Sequence, residues 1–201
     1  PGPDAPGIYV QDLDLPDQGD ALSYRLQEHL NKPLTESSIR SIKETVQTYY
    51  EEISRPIVQV EIPEQEISMG CVRVVVKEGR LGEIRCVNNR YFSDRKVSGY
   101  LRLSPGEMIP MDQVLKGIAF INSNPFRLAS AVFTPGATKD TTDIELVMQD
   151  RFPLREYVGG DNTGNDFTGN ARFYAGINWA NAFNWDAQLN YQYTTSEDFH
   201  K

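Results

Sequence analysis

Asn170-Ala171-Arg172-Phe173-Tyr174-Ala175-Gly176-Ile177-Asn178-Trp179 and Asn184-Trp185-Asp186-Ala187-Gln188-Leu189-Asn190-Tyr191-Gln192-Tyr193-Thr194 decide the fold class. In both runs the odd positions are apolar or aromatic and the even positions mostly polar. Side chains of a strand alternate between its two faces, so each run predicts a strand with one apolar face. Each is about ten residues long, the length of a tilted strand that crosses a bilayer. A soluble meander has no need to keep so strict an alternation with so many aromatics. The expected lipid-facing residues are Ala171, Phe173, Ala175, Ile177, Trp179, Trp185, Ala187, Leu189, Tyr191 and Tyr193. Asn181-Ala182-Phe183 is expected to turn between the runs, and Leu154 to Gly160 to form a preceding, less regular strand. Three strands cannot close a barrel, and open edges are not tolerated in lipid. The 201 residues are therefore expected to be part of a longer chain.

Upstream the patterning changes in kind. The net charge is -8. It falls as -6 up to Leu81, zero from Gly82 to Asp150, and -2 beyond. An acidic chain argues against nucleic acid as a partner, because phosphate contacts need clustered basic side chains. No run approaches the roughly 18 apolar residues of a spanning helix, and Pro1-Gly2-Pro3-Asp4 does not read as a signal peptide.

The first region predicts strand, helix, helix, strand, strand. Ile8 to Leu15 alternates as a half-buried strand, and Asp20 is placed to cap a helix carrying Leu22, Leu26 and Leu30. Thr35 is placed to cap a second helix, whose Ile39, Ile42, Val46, Tyr49 and Ile53 follow spacings of three and four. Ile57 to Ile62 alternates again; Val72, Val74 and Val76 share a face of the next strand, and Glu78-Gly79 supplies a turn. The second region repeats this order about 75 residues later. It runs through a strand at Gly82 to Val87, a short helix capped by Ser93, and a helix carrying Met111, Val114, Leu115, Ile118 and Ile121. Strands at Leu128 to Phe133 and around Ile144, Leu146 and Met148 complete it. A helix pair packed on one face of a small sheet buries both apolar faces, which gives a two-layer α+β unit.

The run Val76-Lys77-Glu78-Gly79-Arg80-Leu81-Gly82-Glu83-Ile84 resembles the junction between the two POTRA domains of two-partner secretion transporters, the outer-membrane exporters of haemolysins and filamentous adhesins. Ile121-Asn122-Ser123-Asn124-Pro125, Phe133-Thr134-Pro135-Gly136 and Thr142-Asp143-Ile144-Glu145-Leu146 resemble their second POTRA; Gly160-Asp161-Asn162-Thr163-Gly164 with Thr168-Gly169 resembles the start of their barrel. The resemblance implies an α+β chain of two tandem POTRA units followed by the first antiparallel strands of a transmembrane β-barrel. The expected division is residues 1–7 as a linker remnant, 8–81 as POTRA 1, 82–150 as POTRA 2, and 151–201 as the start of the barrel. It further implies a Gram-negative outer membrane, periplasmic POTRA units, and an unfolded secreted protein as partner, with lipid around the barrel and no small-molecule substrate. An outer-membrane insertase of the same superfamily and a soluble periplasmic scaffold are the alternatives.

In such units the second strand commonly lies at a sheet edge, where an extended segment can dock by main-chain hydrogen bonds. The resemblance points to Ile57, Val58, Gln59, Val60 and Glu61, and to Arg127, Leu128, Ala129, Ser130, Ala131, Val132 and Phe133. The alternative reading is ordinary sheet, with Gln59, Glu61 and Arg127 as polar or charged residues that protect the edge.

Catalytic signals are thin. His29 lies on a predicted helix and His200 has no partner in sequence. No nucleophile triad, phosphate loop or metal-spaced cluster is evident. Asp161-Asn162-Thr163-Gly164-Asn165-Asp166 is rich in oxygen ligands but misses the EF-hand spacing, and Glu64 and Glu66 read as a solvated loop. No enzyme, cofactor or metal is implied. Cys71 and Cys86 would oppose each other if residues 71–86 formed one hairpin; the predicted order of elements places them in different domains.

Overall fold

In the computed structural model, residues 7–65, 70–164 and 169–196 are described. The chain divides into two compact units. The first runs to Gly82 and takes in Ser104–Val114 and Pro135–Thr142; the second comprises Glu83–Leu103, Leu115–Thr134 and the chain from Asp143.

The first unit carries α1 (Asp20–Leu26), α2 (Glu36–Glu52), β1 (Val58–Glu61) and β2 (Val75–Glu78). Thr35 caps α2 as the sequence predicts: its Oγ1 accepts from the Ser38 N–H at 3.2 Å, and the Ser38 Oγ accepts from the Thr35 N–H at 3.0 Å. The apolar stripe of α2 then buries Val46, Tyr49 and Tyr50 with Leu15, Leu22 and Val60 in one core. Full burial of each such side chain contributes about 1.5–3 kcal/mol. The two tyrosine rings meet edge to face at 5.8 Å. Tyr49 donates to Asp17 and Tyr50 to Glu78, so both hydroxyls are satisfied inside the apolar core.

Three expectations fail here. Ile8 to Leu15 is not a strand, because Asp12 adopts φ 58° and breaks the extended run; Val10 and Leu13 pack on the core without a ladder. The first unit therefore shows a two-stranded sheet, β1-β2, among the described residues. Asp20 does not cap α1; Gly19 occupies the cap and the Asp17 carboxylate accepts from the Ala21 N–H. Glu78-Gly79 does not form a turn. Gly79 alone separates β2 from β3 (Arg80–Val87), and the two strands belong to different sheets.

Most of β3 belongs to the second unit, which also carries α3 (Asp94–Gly99), β4 (Arg127–Pro135), β5 (Thr141–Asp150), and part of α4 (Met111–Asn122). The sheet order is β3-β5-β4, with β5 central and β4 at an edge. Ile144, Leu146 and Met148 are buried on one face of β5, as their alternation predicts. Val97 on α3, Ile121 on α4 and Leu101 in the turn just after α3 are buried. Ser93 occupies the N-cap of α3 without a side-chain capping bond, and Leu115 is exposed rather than buried in the α4 stripe. At Gly117 an added Cβ would lie 2.6 Å from Leu101 Cδ2 and 3.0 Å from the Tyr100 carbonyl oxygen, so only glycine lets α4 approach this closely.

A separate sheet, β6-β7-β8, is built from β6 (Leu154–Asp161), β7 (Arg172–Ala182) and β8 (Ala187–Ser196). Both pairs are antiparallel. β7 continues through Asn181 and Ala182 where a turn was expected; the turn lies at Phe183–Asp186, with positive φ at Phe183, Asn184 and Asp186. A bulge between Trp179 and Ala182 shifts the register and delays the turn. Trp185 thus sits in the turn and Ala171 just before β7, so neither is a strand residue.

Candidate docking edges and membrane-facing strands

β4 begins as an edge whose backbone is already occupied. The Arg127 N–H donates to the Asn124 carbonyl at 3.3 Å. The Asn122 side-chain amide then mimics a neighbouring strand: Ala129 N–H donates to its Oδ1 at 2.6 Å, and its Nδ2 donates to the Ala129 carbonyl at 3.1 Å. In an antiparallel ladder both backbone groups of a residue point to one side, and alternate residues point to alternate sides. Ala131 and Phe133 are the next residues pointing the same way as Ala129. The open edge is therefore shorter than the seven residues the sequence singles out. Leu128, Ser130 and Val132 project to the exposed face, while Ala129 is buried, and Ala131 and Phe133 half-buried, on the other.

Arg127 is not an edge charge. Its side chain is 2% exposed and pairs with Asp186, itself 7% exposed, at 2.8 Å. Its Nε donates to the Ile121 carbonyl at 2.9 Å, and its guanidinium stacks over Phe92 at 4.7 Å and Tyr100 at 5.6 Å. Tyr100 donates to the other Asp186 oxygen at 2.5 Å. Burial, reinforced by Asp186, holds the Tyr100 phenol above its ordinary value, so it stays a neutral donor. Asn124 donates to the Ala180 carbonyl, and Asn181 to the Tyr91 carbonyl, so the end of β7 is tied to the segments just before α3 and just after α4 by side chains from both sides. Patterning does not reveal this cage. Asp186 reads as an even, polar strand position; the isolated Asn124-Pro125-Phe126-Arg127 corner is its one sequence signal.

In the first unit, the Gly79 N–H donates to the Ile57 carbonyl at 2.8 Å, and Val58 pairs with Glu78. By alternation Ile57, Gln59 and Glu61 face β2, and Val58 and Val60 point their backbone away from it. The Val58 N–H is taken by the Pro56 carbonyl at 3.0 Å. Glu61 bonds Lys77 across the pair at 2.8 Å, which raises the lysine further above its ordinary value.

On the three-stranded sheet, Ala175 pairs with Tyr193, Ile177 with Tyr191 and Trp179 with Leu189. The odd residues of β7 and β8 thus share one face, joined on β6 by Leu154, Glu156, Val158 and Gly160. Val158, Phe173, Leu189, Tyr191 and Tyr193 are exposed there. Exposed apolar area of that extent on one face needs a covering phase. Trp179, Phe183 and Trp185 stack in sequence, with ring centroids 4.9 and 5.6 Å apart, at the end where β6 begins. On the opposite face Tyr157 covers Gly176 and Tyr174 covers Gly159; an added Cβ at either glycine would lie 2.4 Å from a ring atom.

Cys71 is exposed and Cys86 half-buried, and both are free. Among the described residues no cluster of three metal-ligating side chains occurs. Glu66, Asn165 to Thr168 and His200 lie outside the described residues, as does most of the expected linker remnant.

No family model matches the chain. It is 27% identical over 189 residues to the heme/hemopexin transporter protein HuxB of Haemophilus influenzae, covering 92% of this chain and 34% of that protein. The chain spans about a third of the curated relatives it matches. Among solved structures, CdiB from Escherichia coli superposes with TM-score 0.76 at 20% identity, over 90% of this chain and 34% of that one. The fold is a mixed α/β arrangement similar to POTRA domains, followed by antiparallel strands in the C-terminal part. CdiB from Acinetobacter baumannii follows at 0.64 and 17% identity, over 94% and 37%. POTRA1-3 of the periplasmic domain of Omp85 from Anabaena matches at 0.56 and 16%, over 69% and 60%. The resemblance to two-partner secretion transporters, drawn from the residues alone, agrees with these relatives.

Proposed function

We propose that this chain is the periplasmic recognition module, with the first barrel strands, of an outer-membrane transporter that exports a large partner protein by two-partner secretion. Residues 8–81 and 82–150 are its two POTRA units, and 151–201 open the barrel. The POTRA units stand in the periplasm of a Gram-negative cell, and the barrel strands meet lipid. The partner is an unfolded secreted protein; no catalytic step, cofactor or small-molecule substrate enters.

One observation carries the reading: β4 is a sheet edge that Asn122 closes at Ala129, and among the described residues no strand pairs with it beyond that point. An extended partner segment adds there, its main chain bonding Ala131 and Phe133, with Leu128 and Val132 as apolar contacts beside it. In the first unit the corresponding groups, which point away from β2, are the Val58 carbonyl and the N–H and carbonyl of Val60.

The test is Ala131→Pro in the full-length protein. Proline removes an outward donor and no ladder bond, which an edge tolerates. Export of the partner should fall while the folded barrel accumulates normally. Ser130→Pro, which removes a donor facing β5, should instead prevent accumulation. Normal export by Ala131→Pro at normal abundance would eliminate docking at this edge.

A further inference from the structure

The membrane reading leaves one surface of the second unit unexplained. Asn88 to Arg102 holds four cations, Arg90, Arg95, Lys96 and Arg102, against one carboxylate, Asp94, in a chain of net charge -8. Arg90 and Arg95 are exposed. Lys96 Nζ donates to the Asn184 carbonyl, between the exposed rings of Phe183 and Trp185. A second point of contact lies at the entry to β6. Exposed Phe152 meets Tyr91 edge to face at 5.8 Å, and the Arg90 guanidinium lies 5.2 Å over the same Tyr91 ring. Arg151, also exposed, stacks over Phe126 at 4.9 Å and donates to the Pro125 carbonyl. Asp150 stands at this corner too, but its carboxylate is engaged by the Arg90 and Tyr91 N–H groups at 2.9 and 2.7 Å. Cations and exposed aromatic rings therefore share the end of the sheet where the strands start.

The geometry points to a lipid-headgroup surface: Arg90, Arg95, Lys96 and Arg151, beside Phe152, Phe183 and Trp185, bind the phosphates of anionic phospholipid in the leaflet that the strands enter. The inference rests on the membrane reading of β6, β7 and β8. Aromatic rings sit at the headgroup level of a bilayer, where one side is apolar and the other wet. They fix the depth of this end, and the cations bonded or stacked beside them then lie at phosphate height. Arginine meets phosphate oxygens with paired donors, and each cation near an anionic surface strengthens binding about fivefold. The contact holds the second unit down on the leaflet, alongside the tie made by Arg127 and Asp186.

The full-length protein in nanodiscs tests this, one set of phosphatidylcholine alone and one containing a fifth phosphatidylglycerol. Amide exchange over residues 88–102 should slow several-fold in the anionic discs. High salt should erase the difference, as should the triple variant Arg90→Gln, Arg95→Gln, Lys96→Gln. Exchange over 172–182 and 187–196 serves as the separate reading of the barrel. If those strands are protected in both lipids and residues 88–102 exchange alike in both, the headgroup surface is wrong while the membrane strands stand. If those strands are unprotected, the membrane reading falls and the headgroup surface with it. The wild-type comparison decides the matter even where the triple variant does not accumulate.

Discussion

Replacing Asp186 by Asn and Arg127 by Met, singly and together, measures the tie between the β7–β8 turn and the second unit. Asp186→Asn keeps the shape of the side chain but leaves a guanidinium, 2% exposed, without its counter-charge. Removing one partner of a buried ion pair costs about 3–5 kcal/mol. Arg127→Met should cost about the same. It strands the Asp186 carboxylate with Tyr100 and Asn124 as its donors, frees the Ile121 carbonyl, and empties the space between Phe92 and Tyr100. The double variant buries no charge at all, so its loss should match one single variant rather than both. The coupling between the two sites is then roughly 3 kcal/mol or more. Urea midpoints of the full-length protein in micelles, followed by the heat-modifiable folded band, give all four corners of the cycle. A double variant whose loss equals the sum of the singles to within about 0.5 kcal/mol would show two independent sites and no buried ion pair holding the turn.

On the barrel strands, Leu189→Arg or Ala175→Arg should destabilise the full-length protein by roughly 2–4 kcal/mol where the strand crosses the bilayer, and Asn190→Arg by much less. A hydrophilic maleimide should correspondingly modify Asn190→Cys and spare Leu189→Cys in native membranes; equal labelling would remove the strands from lipid. Gly117→Ala should destabilise by about 1–3 kcal/mol in spite of alanine's better helix propensity, because the Tyr100 backbone cannot retreat; a higher melting temperature would contradict the close approach. Burial, then the Asp94 charge, push the Cys86 thiol up to about 11, so its contribution to stability is whole below its ordinary value near 9 and is lost as pH rises through 11. Iodoacetamide at pH 8 should accordingly modify exposed Cys71 first, and Cys86 only slowly.

What could be read in the sequence was whatever rests on periodicity. The α2 stripe, the Thr35 cap, the buried face of β5 and the pairing face of β7 and β8 all follow from spacing, because burial on one side of a regular element leaves a period. Failures sit where one residue interrupts a period without changing composition. Asp12 takes a positive φ and ends a strand that the alternation of Ile8 and Val10 with Tyr9 and Gln11 otherwise spells out. A bulge after Trp179 moves the turn by a few residues and takes Trp185 out of its strand. The Arg127 cage was unreadable for a different reason: it joins side chains about 60 residues apart, and no local pattern encodes a contact of that range. Gly176 shows the same limit in small. An even position on β7 promises open lumen, yet the ring of Tyr157 from the neighbouring strand fills the space above it.

On the proposed function, the β4 edge reconciles two opposed demands. An exposed edge invites pairing with any extended chain, so a periplasmic protein gains from closing it. A receptor for unfolded segments needs that same pairing. Asn122 closes the edge at Ala129, where Arg127 already fixes the strand's start to the turn, and leaves only the stretch toward Phe133. A few main-chain bonds are too few to nucleate a growing sheet but enough to hold a segment weakly, each worth about 0.5–1.5 kcal/mol. Asn122→Ala separates the two demands. It frees the Ala129 donor and acceptor, so it should lengthen the usable edge by one pair of bonds and tighten capture of an extended partner peptide by roughly 1–2 kcal/mol. It should also make the protein more prone to self-association at high concentration. Peptide titrations by calorimetry, together with sedimentation of the variant, read both effects. Weaker capture at unchanged stability would mean that the Asn122 amide supports the docking edge rather than masking it.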